Sequence, residues 1–306
     1  MQFLPDLASH TFLAPMAGVT DKPFRQMVRS FGPHLIWTEM VAATSLVYHS
    51  QTTERMMDLS DEKGPIALQL VGNNPQHMAF AAQKAQKNGA ALVDINMGCP
   101  VKKLISNISG AALMREPYLA FQIVQAVKAA VEIPVTVKMR LGWDENERNV
   151  VDFACHMAEA GANALTVHAR TKAQGYSGKA DWSFISAVKK AVNIPVFANG
   201  DIIDSDTAAD CLRQTGADGV MIGRGAMGRP WILAEIDGVN PVFDIKEVIL
   251  EHFDRLLSYY GPKGLFIARK HLAWYATGHS FVAQFCRLVY AEDKKENVVA
   301  LIREFF

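Results

Sequence analysis

Asn88-Gly89-Ala90-Ala91-Leu92-Val93-Asp94-Ile95-Asn96 is echoed twice downstream, by Ala160-Gly161-Ala162-Asn163-Ala164-Leu165-Thr166-Val167-His168 and by Thr215-Gly216-Ala217-Asp218-Gly219-Val220-Met221-Ile222-Gly223. Each copy has a glycine able to end a helix in the left-handed conformation, followed by an apolar run of strand length. A second motif alternates with the first. Ile133-Pro134-Val135-Thr136-Val137-Lys138 matches Ile194-Pro195-Val196-Phe197-Ala198-Asn199, and Gly64-Pro65-Ile66-Ala67-Leu68-Gln69 is a looser copy. Stretches of helical pattern lie between them, at 118–131, 150–160 and 183–192. Repeated strand–helix pairs point to a parallel sheet covered by helices. Apolar runs near Leu13, Ile36, Ala67, Val93, Val137, Val167, Phe197 and Met221 supply eight strands. Each is continuous rather than alternating, as burial on both faces requires. Eight such units in roughly the first 235 residues predict an α/β chain folded as a (β/α)8 TIM barrel. The competing doubly wound sheet lacks its Gly-rich dinucleotide fingerprint after the first strand.

Beyond Asp237-Gly238-Val239-Asn240-Pro241 the repeat stops, and amphipathic helices are predicted over 246–260, 266–277, 281–290 and 297–306. The expected organisation is therefore a barrel domain, 1–236, and a C-terminal all-helical bundle, 242–306. The 31 Lys and Arg residues are balanced by 31 Asp and Glu, so the formal net charge is zero. No global field draws the chain to nucleic acid or membrane, and any such partner must be held by a local patch. No apolar stretch approaches membrane-spanning length, and Met1–Asp6 lacks the basic-then-apolar pattern of a signal peptide. Four cysteines with no zinc-type spacing suggest a reducing compartment, hence the cytoplasm, and no bound metal. Three of them, Cys155, Cys211 and Cys286, lie in helical apolar patterns and are expected to be small core hydrophobes.

The fourth is different. In Val93-Asp94-Ile95-Asn96-Met97-Gly98-Cys99-Pro100 a buried strand breaks into a loop, and the thiol sits at the break. Side chains at the C-terminal ends of barrel strands build the active site in this fold. Read in order, those ends offer Pro15-Met16-Ala17, Glu39, Gln69, Asn96 with Cys99, Lys138 with Arg140, His168 with Arg170, Asn199-Gly200-Asp201 and Gly223-Arg224-Gly225. So many polar groups at one face must converge on a ligand or on one another. The glycines and Arg224 after strands seven and eight suit a phosphate. Lys138 can stabilise negative charge on an electron-accepting ring, Gln69 can bond its edge, and Pro15 to Ala17 offer backbone contacts. A flat redox-active ring with one phosphate is FMN; sugar phosphates come second.

With these residues in view, the chain resembles the tRNA-dihydrouridine synthases. The resemblance rests on Ala14 to Asp21, on Asp94 to Pro100 with Gly110-Ala111 downstream, and on Val137 to Trp143, Val167 to Thr171, Ala198 to Asp201 and Met221 to Gly225. Arg269-Lys270-His271-Leu272-Ala273-Trp274-Tyr275 looks like the bacterial B-type subgroup. The resemblance implies an FMN enzyme, reduced by NADPH, that converts a uridine in the D-loop of tRNA to dihydrouridine. It implies that Pro15, Met16, Ala17, Gln69, Lys138, His168, Asn199, Gly200, Asp201, Gly223 and Arg224 hold FMN and that Cys99 is the catalytic proton donor. Asn96, Arg140 and Arg170 are expected to meet the substrate base. The loop 105–109 is apolar and hydroxylic where relatives often carry a basic residue or more glycine.

A base reduced inside a barrel mouth must first leave its surroundings. Lys263, Arg269, Lys270, Arg287, Lys294 and Lys295 are the tail cations available for RNA phosphates. The expected partners are thus tRNA and NADPH, with the chain acting as a monomer. Rival readings are an FMN oxidoreductase acting on a free pyrimidine, which would leave the helical tail unused, a sugar-phosphate lyase or isomerase, and a non-catalytic RNA-binding protein.

Overall fold

The computed structural model describes residues 9–306; the segment Met1–Asp6 discussed above lies outside the described residues. Among the described residues nine strands form one sheet: β1 (Thr11–Leu13), β2 (Ile36–Trp37), β3 (Val41–Ala42), β4 (Ile66–Val71), β5 (Leu92–Met97), β6 (Val135–Met139), β7 (Ala164–His168), β8 (Val196–Asn199) and β9 (Gly219–Ile222). Every pairing is parallel, and β2 pairs with both β1 and β4, so the sheet closes on itself. The helices between strands are α1 (Lys22–Arg29), α2 (Ala43–Val47), α3 (Gln51–Met56), α4 (Pro75–Lys87), α5 (Lys102–Ile105), α6 (Pro117–Ala130), α7 (Val150–Glu159), α8 (Ser183–Ala191) and α9 (Ser205–Thr215). A short α10 (Ile232–Ile236) follows the last strand. The tail is α11 (Ile245–Tyr260), α12 (Lys263–Tyr275), α13 (Val282–Ala291) and α14 (Lys295–Phe305).

The fold is the expected eightfold barrel, with one strand in two pieces. Between β2 and β3 the Thr38 hydroxyl, in place of a main-chain carbonyl, accepts the Gln69 N–H at 3.1 Å. That substitution interrupts the ladder, which resumes at Val41 opposite Leu70. The repeated glycines do what their sequence context requires. Gly89, Gly161 and Gly216 have φ of 87°, 103° and 66°, ending α4, α7 and α9 before β5, β7 and β9.

Period-two alternation divides each strand between the helix layer and the barrel interior. Phe12, Trp37, Ala67, Leu92, Ala164, Phe197 and Met221 form one buried interior layer, with the Phe12 and Phe197 rings edge-on at 4.6 Å. Two residues further along the strands the interior turns polar, at Gln69, Asp94, Thr136 and Thr166, all buried. Asn96, Lys138 and His168 come two further again in β5, or at the corresponding height in β6 and β7. The barrel is thus apolar at its floor and chemical at its mouth.

The tail has its own apolar cluster, built on Ile249, Phe253, Leu272, Phe285 and Ile302, but Met27 of α1 and Trp231 belong to it too. The helical region and the barrel share a core. Among the other cysteines Cys211 is buried and Cys286 half-buried, but Cys155 is exposed, contrary to expectation. Its position on α7 faces away from the buried stripe of Val150, Phe153, Ala154 and Met157. Among the described residues no helix is long and apolar enough to cross a membrane.

Phe12 is wholly buried at the floor, so Phe12→Ala should remove about 3–5 kcal/mol of stability. Denaturant unfolding checks this; a loss below 1 kcal/mol would mean the floor is not a packed layer.

Candidate active site

The mouth holds two adjoining cavities of about 270 and 450 Å³. The smaller is lined by Asn199, Gly200, Asp201, Gly223, Arg224 and Gly225, the ends of β8 and β9. The larger is lined by Ala17, Gln69, Asn96, Cys99 and Arg140, from β1, β4, β5 and β6. Pro15, Met16, Lys138, His168, Tyr176 and Arg224 border both. The pair reads as one elongated site with an anion end and a ring end.

At the ring end the buried polar groups form a chain. Asp94 accepts from the Thr136 hydroxyl at 2.6 Å and from Gln69 Nε2 at 2.7 Å. Gln69 Oε1 accepts from Asn96 Nδ2 at 2.8 Å, and Asn96 Oδ1 accepts the N–H groups of Gly98 at 3.2 Å and Cys99 at 2.9 Å. The Asn96 amide therefore orients the cysteine turn itself. Gly110 sits against that turn with φ 61°, where a Cβ would come within 2.7 Å of the Cys99 carbonyl oxygen. Only glycine fits there, and the next N–H, Ala111, donates to the same oxygen at 3.0 Å. Arg140 closes the turn from the other side: Nε donates to Gly98 O at 2.8 Å, and Nη1 to the carbonyls of Thr171 and Gly175, each at 2.8 Å.

Burial pushes the Cys99 thiol up, against weaker pulls from the Val101 N–H, Arg140 and Lys138, so it stays protonated at neutral pH. Burial, reinforced by Arg140, lowers Lys138 to about 8, and its Nζ donates to Asn199 Oδ1 at 3.0 Å. Burial, followed by the charges of Lys138, Arg140, Arg170 and Arg224, holds His168 well below the usual imidazole range, so it is neutral. Burial alone would raise Asp201, but hydrogen bonds and charge from Arg170, the Ala180 N–H and Arg224 outweigh it and keep the carboxylate ionised. The site is a cationic mouth with one neutralised carboxylate and one proton held on sulfur.

Of the strand-end candidates, all but Glu39 and Arg170 line one of the two cavities, and Glu39 accepts the Gly18 N–H at 2.5 Å. Arg170 lines neither cavity: it is 2% exposed, with Nη2 on both Asp201 oxygens at 2.7 Å and on Gly178 O, and Nε on Ser177 O. Its Nη2 grip positions Asp201, while Nη1 is buried with no hydrogen-bond partner among the described residues. Tyr176 is the residue the sequence left unmarked. Its ring, 59% exposed, stands 5.7 Å from the Arg140 guanidinium, 5.0 Å from that of Arg224 and 6.1 Å from the His168 ring. Its signal was faint, an aromatic between Gly175 and Gly178 in a loop with no strand end. Among the described residues no group of three or more His, Cys, Asp or Glu is placed to hold a metal ion.

Of the tail cations, Lys263, Arg287 and Lys294 are exposed, as is the paired Lys295. Three have partners within the chain: Arg269 donates to Glu292 O, Lys295 pairs with Asp254 at 2.7 Å, and Lys270 donates to Gly18 O.

A closed parallel barrel with a thiol, an amide relay and a cationic cleft at its strand ends defines an α/β-barrel enzyme. A family model described as dihydrouridine synthase matches residues 12–305, and the chain belongs to that family. It is 47% identical over 279 residues to the probable tRNA-dihydrouridine synthase 1 of Synechocystis sp., covering 88% of this chain and 78% of that one. It is 41% identical over 314 residues to tRNA-dihydrouridine synthase B of Pseudomonas aeruginosa, covering 98% and 93%. Against tRNA-dihydrouridine synthase B of Xanthomonas axonopodis pv. citri the figures are 42% over 317 residues, 100% and 96%. Among solved structures, histamine dehydrogenase from Rhizobium sp. 4-9 superposes with a TM-score of 0.58 at 14% identity, over 80% of this chain and 49% of that one, a likeness of fold.

Because Asn96 holds the cysteine turn, Asn96→Ala should speed alkylation of Cys99 by N-ethylmaleimide about tenfold, the equivalent of one to two lost backbone hydrogen bonds. An unchanged rate would show that the turn is held by other contacts.

Proposed function

We propose that the protein reduces a uridine in the D-loop of tRNA to dihydrouridine, with FMN in the paired cavities and NADPH as electron donor. The carrying observation is that the Cys99 thiol and the half-buried Lys138 amine line one cavity of about 450 Å³. The donor set fits a flavin mononucleotide end to end. Arg224 and the backbone N–H groups after β8 and β9 suit its phosphate, Pro15, Met16 and Ala17 suit its middle, and Lys138, Gln69 and His168 suit its ring. The Asp201 carboxylate would repel a phosphate if bare, but it is neutralised by Arg170 and Arg224. Arg224 is half exposed and retains donors for an anion.

A flavin held by Lys138, Gln69 and His168 would supply the hydride for C6 of the base. The remaining work belongs to the chain. Charge develops across C5 and the C4 carbonyl, and Cys99 holds the proton that C5 takes up. Its raised pKa keeps that proton in place between turnovers. Lys138 supplies positive charge beside the electron-rich ring, and Asn199 fixes its ammonium. Arg140 and Tyr176 border the space in which the base would lie, and Asn96 holds the turn that carries Cys99. The exposed Lys263, Arg287 and Lys294 are candidates for phosphate contacts, and a tRNA substrate agrees with the cytoplasm as the place of action.

Cys99→Ala should keep FMN and its reduction by NADPH but lose most dihydrouridine formation, about 10²–10⁴-fold in the chemical step. Mass spectrometry of tRNA, scored for the two-hydrogen gain, reads this; undiminished turnover removes Cys99 from the role. Lys138 gives a pH dependence of known sign. Below its pKa of about 8 it is already charged, so FMN affinity should be flat there. Above it, binding must take up a proton, and affinity should fall toward tenfold per pH unit. Fluorescence titration of flavin-free protein from pH 7 to 9.5 checks this, and a flat profile would mean Lys138 carries no charge-dependent contact.

A further inference from the structure

The stretch 269–275 has a place in the fold that recognition of RNA does not explain. Lys270 and Trp274 are four residues apart on α12 and share one face. Lys270 Nζ donates to the carbonyl oxygen of Gly18, while the N–H of the same residue donates to Glu39 Oε1 at 2.5 Å. The Gly18 peptide, in the left-handed region at φ 72°, is thus gripped at both ends by opposite charges. One turn along α12, the loop after β9 lies directly on the helix backbone. A Cβ on Gly228 would stand 2.5 Å from the Trp274 carbonyl carbon and oxygen, and φ there is 72°. Trp274 itself packs against the barrel's core. From α11, the Tyr260 hydroxyl donates to Asp21 Oδ2 at 3.0 Å, at the far end of the β1 loop.

These contacts meet two particular loops. The β1 loop carries Met16 and Ala17, and the β9 loop carries Arg224 and Met227; all four residues line the cavities. We propose that the α12 face bearing Lys270 and Trp274 is the seat that holds both loops in flavin-binding shape, making Lys270 a positioning residue for the cofactor and not an RNA contact. The inference rests on the flavin reading above. It also explains why the helical region shares a core with the barrel: an appendage concerned with RNA alone could hang from a linker.

Three variants test it: Lys270→Met, which keeps the stem and loses the donors; Lys270→Arg, which restores a donor; and Gly228→Ala, which lifts the β9 loop without changing charge. Two measurements are made on flavin-free protein, hydrogen–deuterium exchange over residues 15–21 and FMN affinity by fluorescence quenching. Binding of unmodified tRNA is measured separately as a function of salt. Lys270→Met should speed exchange at 15–21 and weaken FMN about tenfold, the loss of one charge-assisted hydrogen bond. Lys270→Arg should recover most of that affinity, Gly228→Ala should weaken FMN as well, and tRNA affinity of flavin-loaded Lys270→Met should stay within about twofold with the salt slope unchanged. FMN affinity unchanged in Lys270→Met, with tRNA binding weakened and the salt slope reduced by about one, would overturn the proposal in favour of a phosphate contact. If the wild-type chain binds no flavin, the flavin reading fails on its own, and exchange at 15–21 decides the seat: unchanged exchange overturns it.

Discussion

One side-chain amide, that of Asn96, sets the geometry on which the chemistry depends. Its oxygen takes the two N–H groups of the cysteine turn, and its nitrogen leans on Gln69, which leans in turn on Asp94. Strand alternation forces this arrangement. Asp94 and Asn96 are two residues apart on β5, so both point into a closed barrel where an unpaired polar group is expensive. Gln69 on β4 and Thr136 on β6 stand beside them, because the parallel register pairs Gln69 with Asp94 and Asp94 with Thr136. Satisfying the buried carboxylate therefore fixes the glutamine, the glutamine fixes the asparagine, and the asparagine fixes the thiol. Asp94, the root of the chain, is fully buried, and burial raises its pKa.

The electrostatics follow from the same confinement. Lys138, Arg140, Arg170 and Arg224 crowd one mouth, and their mutual repulsion is relieved in different ways. Arg170 takes Asp201, Arg140 takes three carbonyls, Lys138 yields part of its proton affinity, and His168 gives up its charge altogether. What remains is a field suited to an anionic, electron-rich ligand. The thiol is held as an acid in that field because burial outweighs the cations beside it.

Most of the barrel was legible in the sequence. The Gly-initiated and Pro-initiated strand motifs each state a helix end followed by a buried run, and the positive φ of Gly89, Gly161 and Gly216 is their physical content. The break between β2 and β3 was not legible, since it depends on where the Thr38 hydroxyl points. Strand-end reading found nearly the whole site because the fold gathers those ends at one face. It also included Arg170, two residues after His168, which lines neither cavity: its Nη2 is drawn to both Asp201 oxygens. It missed Tyr176, which a loop and not a strand delivers. Charge counting offered Lys270 as a cation for RNA phosphates, whereas its ammonium is on a carbonyl of the β1 loop.

The most direct test of the central claim is a crystal structure of the flavin-loaded protein. The ring should lie beside Lys138 and Gln69, with the Cys99 sulfur about 6–7 Å from its plane, room for one flat base at two reacting separations of about 3–3.5 Å. A sulfur turned out of the cavity, or resting on the ring with no space between, would contradict it.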